Sequence, residues 1–350
     1  MKWRALVVTV GLLGVLLPHG PASGLPPGTR VEPYATGLAF SIDMAWDEGT
    51  DRIFYTEKNT GMVRVLVGGK VLDQPCVDLA VNSEGERGAG GLVLSPNFDR
   101  NRFLYVFYTN ASPLVDRVTR FTVQNNRCTD PRHIVNGLSA SGLHHHGAHL
   151  EIVGEKLLVS TGDQGNPAEA QDTTRRLGKI LRYNLNGTVP ADNPYGNAVW
   201  TYGLRNPYGI AHRPGTTQVF ATDNGEDCDD EVNRIVRGGN QGWGPGYVCG
   251  TDGVGPDARP PHFRWSEQVA PTDATWYVGS MASLSDGLIL GDYNNGQLHR
   301  FTFTSTGTAV TGHTIVYDHS GGIVDVSGGP GGWLYFMSPA TSTIYRIMPS

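Results

Sequence analysis

Met44-Ala45-Trp46, Ile53-Phe54-Tyr55 and Met62-Val63-Arg64-Val65 follow one another along the chain, divided by Asp47-Glu48-Gly49 and Asn59-Thr60-Gly61. Short runs rich in β-branched and aromatic residues, bounded by Asp, Asn and Gly clusters, read as strands joined by tight turns. Met44 to Val67 is therefore a strand meander. Its third run carries an arginine beside apolar neighbours, and this signature returns as Thr119-Arg120-Phe121, Leu181-Arg182-Tyr183, Asn233-Arg234-Ile235, His299-Arg300-Phe301 and Tyr345-Arg346-Ile347. Successive arginines are 56, 62, 52, 66 and 46 residues apart. A lone meander has two apolar faces to bury and needs neighbours on both, so recurrent copies stack radially into a ring. The expectation is an all-β fold, a six-bladed β-propeller with four-stranded antiparallel blades. A β-sandwich pair competes with it, because an arginine on an edge strand is common in any sheet.

Length and composition point the same way. A chain of 350 residues exceeds the usual limit of one core, yet no Pro-rich or charged linker divides it. One closed ring satisfies both facts. The 47 glycines and 22 prolines suit a protein full of tight turns, and no long amphipathic helical period follows residue 30. Val31 to Thr36 is placed as the outer strand of the last blade, where it would close the ring and remove a free sheet edge.

The first 24 residues read differently. Lys2 and Arg4 precede the apolar run Ala5 to Leu17, and Pro21-Ala22-Ser23-Gly24 supplies a small-residue exit. This is the pattern of a cleaved signal peptide, too short for a membrane span of roughly 20 apolar residues. The division is residues 1–24 as signal peptide and 25–350 as propeller domain, in a secreted or periplasmic protein. Removing two cations takes the formal charge from -6 to -8, which favours neither nucleic acid nor an anionic membrane as partner. An oxidising compartment makes disulfides of the four cysteines. Cys228 with Cys249 encloses a loop on one blade, and Cys76 with Cys128 follows by elimination, although four cysteines allow three connectivities.

Four loops carry candidate chemistry. Leu143-His144-His145-His146-Gly147-Ala148-His149-Leu150 precedes a strand-like run. A histidine at a channel mouth suits proton abstraction near neutral pH, while a histidine cluster equally suits a metal or a solvated loop. Thr161-Gly162-Asp163 puts a carboxylate at a bend, either capping its own turn or orienting a histidine. Arg205-Asn206, fixed by Pro207, presents a fork of donors to a carboxylate or quinone oxygen, or else satisfies loop carbonyls. Asp223 to Glu231 holds six carboxylates in nine residues, for which Ca²⁺ is the natural counter-ion and solvation the bland alternative.

Taken in order, these segments resemble the soluble PQQ-dependent sugar dehydrogenases of the glucose/sorbosone and aldose sugar dehydrogenase type, a family of six-bladed propellers. The likeness runs through Gly85-Glu86-Arg87-Gly88, Leu94-Ser95-Pro96-Asn97-Phe98, the histidine loop, Thr161-Gly162-Asp163, Gly178-Lys179-Ile180-Leu181-Arg182, Gly203 to Gly209, Asp230-Glu231-Val232-Asn233 and Gly242-Trp243. It implies that His145, in the family's H-x-G-G-x-L loop, takes a proton from the sugar with Asp163 as its acidic partner. Arg205, Asn206 and Arg87 would line the PQQ site, and Gly225, Glu226 and Glu231 would supply the Ca²⁺ site. The implied partner is a small-molecule sugar, with an electron acceptor that no motif specifies.

The chain departs from the family at the cofactor. Gly225-Glu226 stands where the family has Gly-Pro, Asn294 falls at the position of the PQQ-binding lysine, and Gly321-Gly322-Ile323-Val324-Asp325-Val326 lacks both arginines of the sixth-blade motif. PQQ is a tricarboxylate, and each hydrogen bond to a charged group is worth about 1.5–3 kcal/mol. The loop Gly291 to Leu298 also resembles hedgehog-interacting-protein-like propellers, which use the fold without dehydrogenase chemistry. Two further readings therefore stand beside the dehydrogenase: a non-catalytic, calcium-stabilised propeller that binds a carbohydrate or a protein, and a calcium-assisted hydrolase with His145 as base.

Overall fold

The computed structural model describes residues 24–350, and the proposed signal peptide lies almost wholly outside them. Six antiparallel sheets form the blades. Their inner strands, in chain order, are Ser41–Trp46, Ala89–Leu94, Leu150–Val153, Pro207–His212, Pro271–Tyr277 and Asp325–Gly329, each touching the next around a central channel. We number the blades 1 to 6 in that order. Blade 1 departs from four simple strands, because its outer position is split into Lys70–Val71 and Val77–Asp78, both paired with Met62–Val67. The α-helices among the described residues are single turns, Phe98–Asn101 and Pro167–Gln171.

The second strand of each blade explains the contiguous apolar runs. Ile53-Phe54-Tyr55, Leu157-Leu158-Val159, Leu288-Ile289-Leu290 and Leu334-Tyr335-Phe336-Met337 are buried on both faces, so they do not alternate as a half-exposed strand would. Each face packs against a neighbouring blade. Among the described residues six apolar clusters result, one at each junction, such as Phe54, Leu92 and Val106 between blades 1 and 2 and Tyr277, Leu298 and Phe336 between blades 5 and 6.

The recurrent arginines all fall on the third strand and are half-buried. Arg120 lies 3.9 Å over the Phe103 ring, Arg182 4.5 Å over Trp200 and Arg346 4.9 Å over Trp333, while Arg300 donates to the Leu284 carbonyl at 3.2 Å. Their role is to cover blade faces. Thr29–Thr36 pairs with Thr343–Pro349, so the N-terminal strand completes blade 6 and closes the ring as expected. Both expected disulfides are present: Cys228–Cys249 joins the loops on either side of Asp230–Ile235, the third strand of blade 4, and Cys76–Cys128 ties blade 1 to blade 2.

Candidate active site

The connections that enter the inner strands and those between second and third strands gather at one mouth of the channel, here called the front. His145 lies on the connection into blade 3, and Asp163 follows the second strand of that blade, Lys156–Thr161. Their separation in sequence disappears in the fold. Asp163 Oδ1 is 2.7 Å from His145 Nδ1 and accepts the Gly165 amide at 2.8 Å, while Oδ2 accepts the indole N–H of Trp243 at 2.8 Å. Asp163 is 1% exposed and His145 16%. Burial alone would raise the Asp163 carboxyl, but the bonds from His145, Gly165 and Trp243 hold it below the usual carboxylate range. With Nδ1 facing the carboxylate, Nε2 is the nitrogen left to meet a ligand.

The backbone beneath His145 is strained. His145 has φ of 57° and Ala148 of 74°, both left-handed, a conformation that costs of order 1 kcal/mol or more outside glycine and concentrates at functional sites. Glu86 fixes it by accepting the His145 amide at 2.7 Å. Gly162 gives it room, since a Cβ there would stand 2.0 Å from the His145 carbonyl oxygen. The remaining histidines of the run have other partners. His146 is buried with Nδ1 2.8 Å from Asp116, His149 points into the channel, and exposed His144 lies 3.6 Å from Glu86.

Arg205 and Asn206 stand together, with their amides bound to the two oxygens of buried Asp223 at 3.0 and 2.7 Å. Asn206 accepts the Gly147 amide at 3.1 Å and so links the pair to the histidine loop. The Arg205 guanidinium is engaged, donating to the carbonyls of Asn224 and Gly225 at 3.2 and 2.7 Å. Arg87 is buried away from the front cavity, donating to Ser141 at 3.0 Å, with its Nε unpartnered. In the acidic loop the Gly225 carbonyl faces Arg205, the Glu226 carbonyl accepts from Gln268, and the Glu226 side chain is exposed. Glu231 accepts from Asn233 at 2.9 Å, and burial pushes its carboxyl up to about 7. Asp229 and Asp230 are satisfied by Tyr247 and by backbone amides. Among the described residues, the one set of three metal-type ligands with atoms within 4.8 Å of one another is Cys228, Asp229 and Cys249, two of them in the disulfide.

A front cavity of 480 Å³ is lined by Phe40, Ile42, Ala148, Asn206, Tyr208 and Val324, among others. Lys58 is its one lysine or arginine among the described residues, and its ammonium already donates to the Ser83 and Gly85 carbonyls at 3.2 and 2.8 Å. Beside the cavity, Asn294 donates to the Gln268 carbonyl, and Ile323, like the lining residue Val324, is a buried apolar group. Three quinone carboxylates would meet one committed ammonium. These residues therefore do not fit PQQ held in its usual way, by charge.

Fold and site define a six-bladed propeller with an aspartate-oriented histidine at one channel mouth, an arrangement that fits the class of soluble sugar dehydrogenases. The profile described as Glucose / Sorbosone dehydrogenase matches residues 38–346, and the chain belongs to that family. It is 32% identical over 231 residues to quinoprotein glucose dehydrogenase B of Acinetobacter calcoaceticus, covering 55% of this chain and 48% of that one. It is 26% identical over 317 residues to the aldose sugar dehydrogenase YliI of Escherichia coli, covering 83% and 85%. An oxidoreductase (glucose dehydrogenase) structure from Thermus thermophilus superposes with a TM-score of 0.82 at 27% identity, over 92% of this chain and all of that one. No helix among the described residues is long and apolar enough to cross a membrane.

Sequence reading missed Trp243 as a partner of Asp163 and Glu86 as a partner of the His145 amide. Both sat inside quoted motifs, but neither residue type announces what it will touch.

Proposed function

We propose that the protein is an exported sugar dehydrogenase that oxidises an aldose at the front mouth, with His145 as general base. The observation that carries this reading is the His145–Asp163–Trp243 chain of hydrogen bonds, built on a strained turn that two other segments hold in place. His145 Nε2 takes the proton of the anomeric hydroxyl, and Asp163 stabilises the imidazolium that forms. Glu86, which accepts the His145 amide, and Asn206, which accepts the Gly147 amide, border the cavity where the sugar would lie, and His145 stands beside that cavity rather than on its wall. The departing hydride needs a redox cofactor, since no side chain accepts it. PQQ with Ca²⁺ is what the family membership suggests, although the residues present supply little of the charge it needs. Two disulfides suit an extracytoplasmic location.

A specific observation favours the second reading, a non-catalytic propeller that binds a carbohydrate or a protein: the single lysine of the front cavity is already occupied by carbonyls. The experiment is a titration with PQQ and Ca²⁺, followed by dye reduction with a panel of aldoses. Saturable binding with sugar-dependent reduction establishes the dehydrogenase. In that case His145→Ala lowers turnover by about 10²–10⁴-fold with little change in melting temperature. No binding at high micromolar PQQ selects the binding module, and unchanged turnover in His145→Ala removes that residue from the mechanism.

A further inference from the structure

The front cavity does not fit a tricarboxylate, and the reasons define what it does fit. Among the described residues none of its groups offers a free cation. Lys58 is engaged by carbonyls. His146 turns its ring nitrogens to Asp116 and to the Gly142 carbonyl, at 2.8 and 3.1 Å. Burial pushes His149 down to about 4, so its imidazole is neutral near pH 7. Asp43, Glu86 and Asp273 also line the cavity, and burial drives Asp43 and Asp273 well up toward the neutral form. A wall that is neutral to negative throughout rejects an anion and accepts an uncharged ligand.

The wall has a polar end and an apolar one. Lys58 donates to Asn59 at 3.3 Å and to the Gly85 carbonyl, which gathers Lys58, Asn59 and Glu86 together. Ala270, Tyr293 and Val324 belong to the apolar end: the Tyr293 amide donates to the Ala270 carbonyl at 2.9 Å, and a Cβ on Gly322 would stand 2.7 Å from the Tyr293 ring. Phe40 and Tyr293 are 39% and 47% exposed, so their rings keep surface for a ligand to cover.

Asn206 adds a directed donor. It is 9% exposed, and the bond from the Gly147 amide to its Oδ1 fixes which end of the side-chain amide is which. That leaves Nδ2, without a partner among the described residues, to a ligand on this wall. An unpaired donor so deep carries a desolvation cost until an acceptor arrives. The Tyr208 hydroxyl is a second neutral donor, held protonated by burial and by the carboxyls of Asp43 and Asp273. The volume of 480 Å³ lies in the range of small-ligand pockets, about 300–1,000 Å³.

We propose that the front cavity binds a neutral quinone in place of PQQ, an uncharged planar ring that lies against Phe40 and Tyr293 and accepts from Asn206 Nδ2 through a carbonyl oxygen. Its use as oxidant rests on the dehydrogenase reading; its binding does not. In that use the C1 hydrogen of the sugar passes as hydride to the quinone and the hydroxyl proton to His145. The products are a lactone and a hydroquinone anion, which takes the proton from the imidazolium. Lys58, Asn59 and Glu86 remain for the sugar hydroxyls.

Calorimetric titration of the purified protein with menadione, with a naphthoquinone sulfonate and with PQQ plus Ca²⁺ tests this. All four cysteines are in disulfides, so thiol addition to the quinone does not contribute to the heats. The expected result is saturable menadione binding, about tenfold or more tighter than that of either anion, and weakened severalfold in Asn206→Leu and in Phe40→Ala. Phe40 stands at the exposed rim, so its truncation tests the site if Asn206→Leu does not fold. No menadione binding, equal or tighter binding of the sulfonate or of PQQ, or menadione binding unchanged in Phe40→Ala overturns the proposal. Tighter PQQ binding with aldose turnover does so while upholding the dehydrogenase. Menadione binding with no aldose that reduces it leaves the quinone site standing and overturns the dehydrogenase, whereas aldose-dependent reduction of menadione upholds both, even where PQQ does not bind.

Discussion

Trp243 does for Asp163 what Asp163 does for His145: each fixes the orientation of the group in front of it through a hydrogen bond. The carboxyl of Asp163 is held below its ordinary 3.8. Its contribution to stability is therefore present above that ordinary value and lost as pH falls through the lower folded value. Trp243→Phe deletes one of the bonds that lower it, so the folded value rises and acid unfolding starts at higher pH. The expected cost near neutrality is about 1–3 kcal/mol, because a bond to a charged group is lost; circular dichroism against pH checks both. An acid-unfolding midpoint that does not move would separate the indole from the carboxylate. His145 and Asp163 were legible in sequence because each sits in a short recognisable motif. Trp243 was not, since 80 residues separate it from its partner.

At the scale of elements, the site depends on two segments of blade 3 approaching closely. The second strand ends in Thr161-Gly162, and any side chain at residue 162 would collide with the turn that carries His145. Gly162→Ala is expected to cost about 1–3 kcal/mol, the usual range for overpacking, and, with His145 in the proposed role, to depress turnover by displacing it. Thermal melting and dye reduction measured together check this. Normal activity with normal stability would show that the turn can move aside freely. One glycine among 47 gives no sequence signal of this kind. The strands themselves were readable, because a sheet buried on both faces needs continuous apolar runs and the turns between them need Asp, Asn and Gly.

The ring stands or falls with its closure. Ala35 and Val31 of the N-terminal strand pack into the clusters that flank blade 6, and the strand covers an edge that Thr343–Pro349 would otherwise expose. A variant beginning at Gly37 is expected to lose about 3 kcal/mol or more, a fall of roughly 4–5 °C or more in Tm for a domain of this length, and to self-associate. Calorimetry and size-exclusion chromatography read the two effects. A monomer with an unchanged Tm would mean that the first and last blades hold together without it. Cys76–Cys128 closes a 52-residue separation between neighbouring blades and is worth about 4 kcal/mol on the chain-entropy estimate, so melts are best compared under one redox condition.

The sequence by itself determined the six-fold repeat and the strand that closes it, singled out His145 and Asp163 through motifs shared with the family, and left the cysteine connectivity open among three. The repeat, the strand and the two residues follow from local pattern: apolar runs, turn residues, recurrence and short motifs. Only the tertiary structure decided which cysteines pair, that Arg205 turns to its own loop carbonyls, and that the front cavity holds one committed lysine. Residues distant in the chain become neighbours when the ring closes, and their charges are felt only once burial has removed the water that separated them.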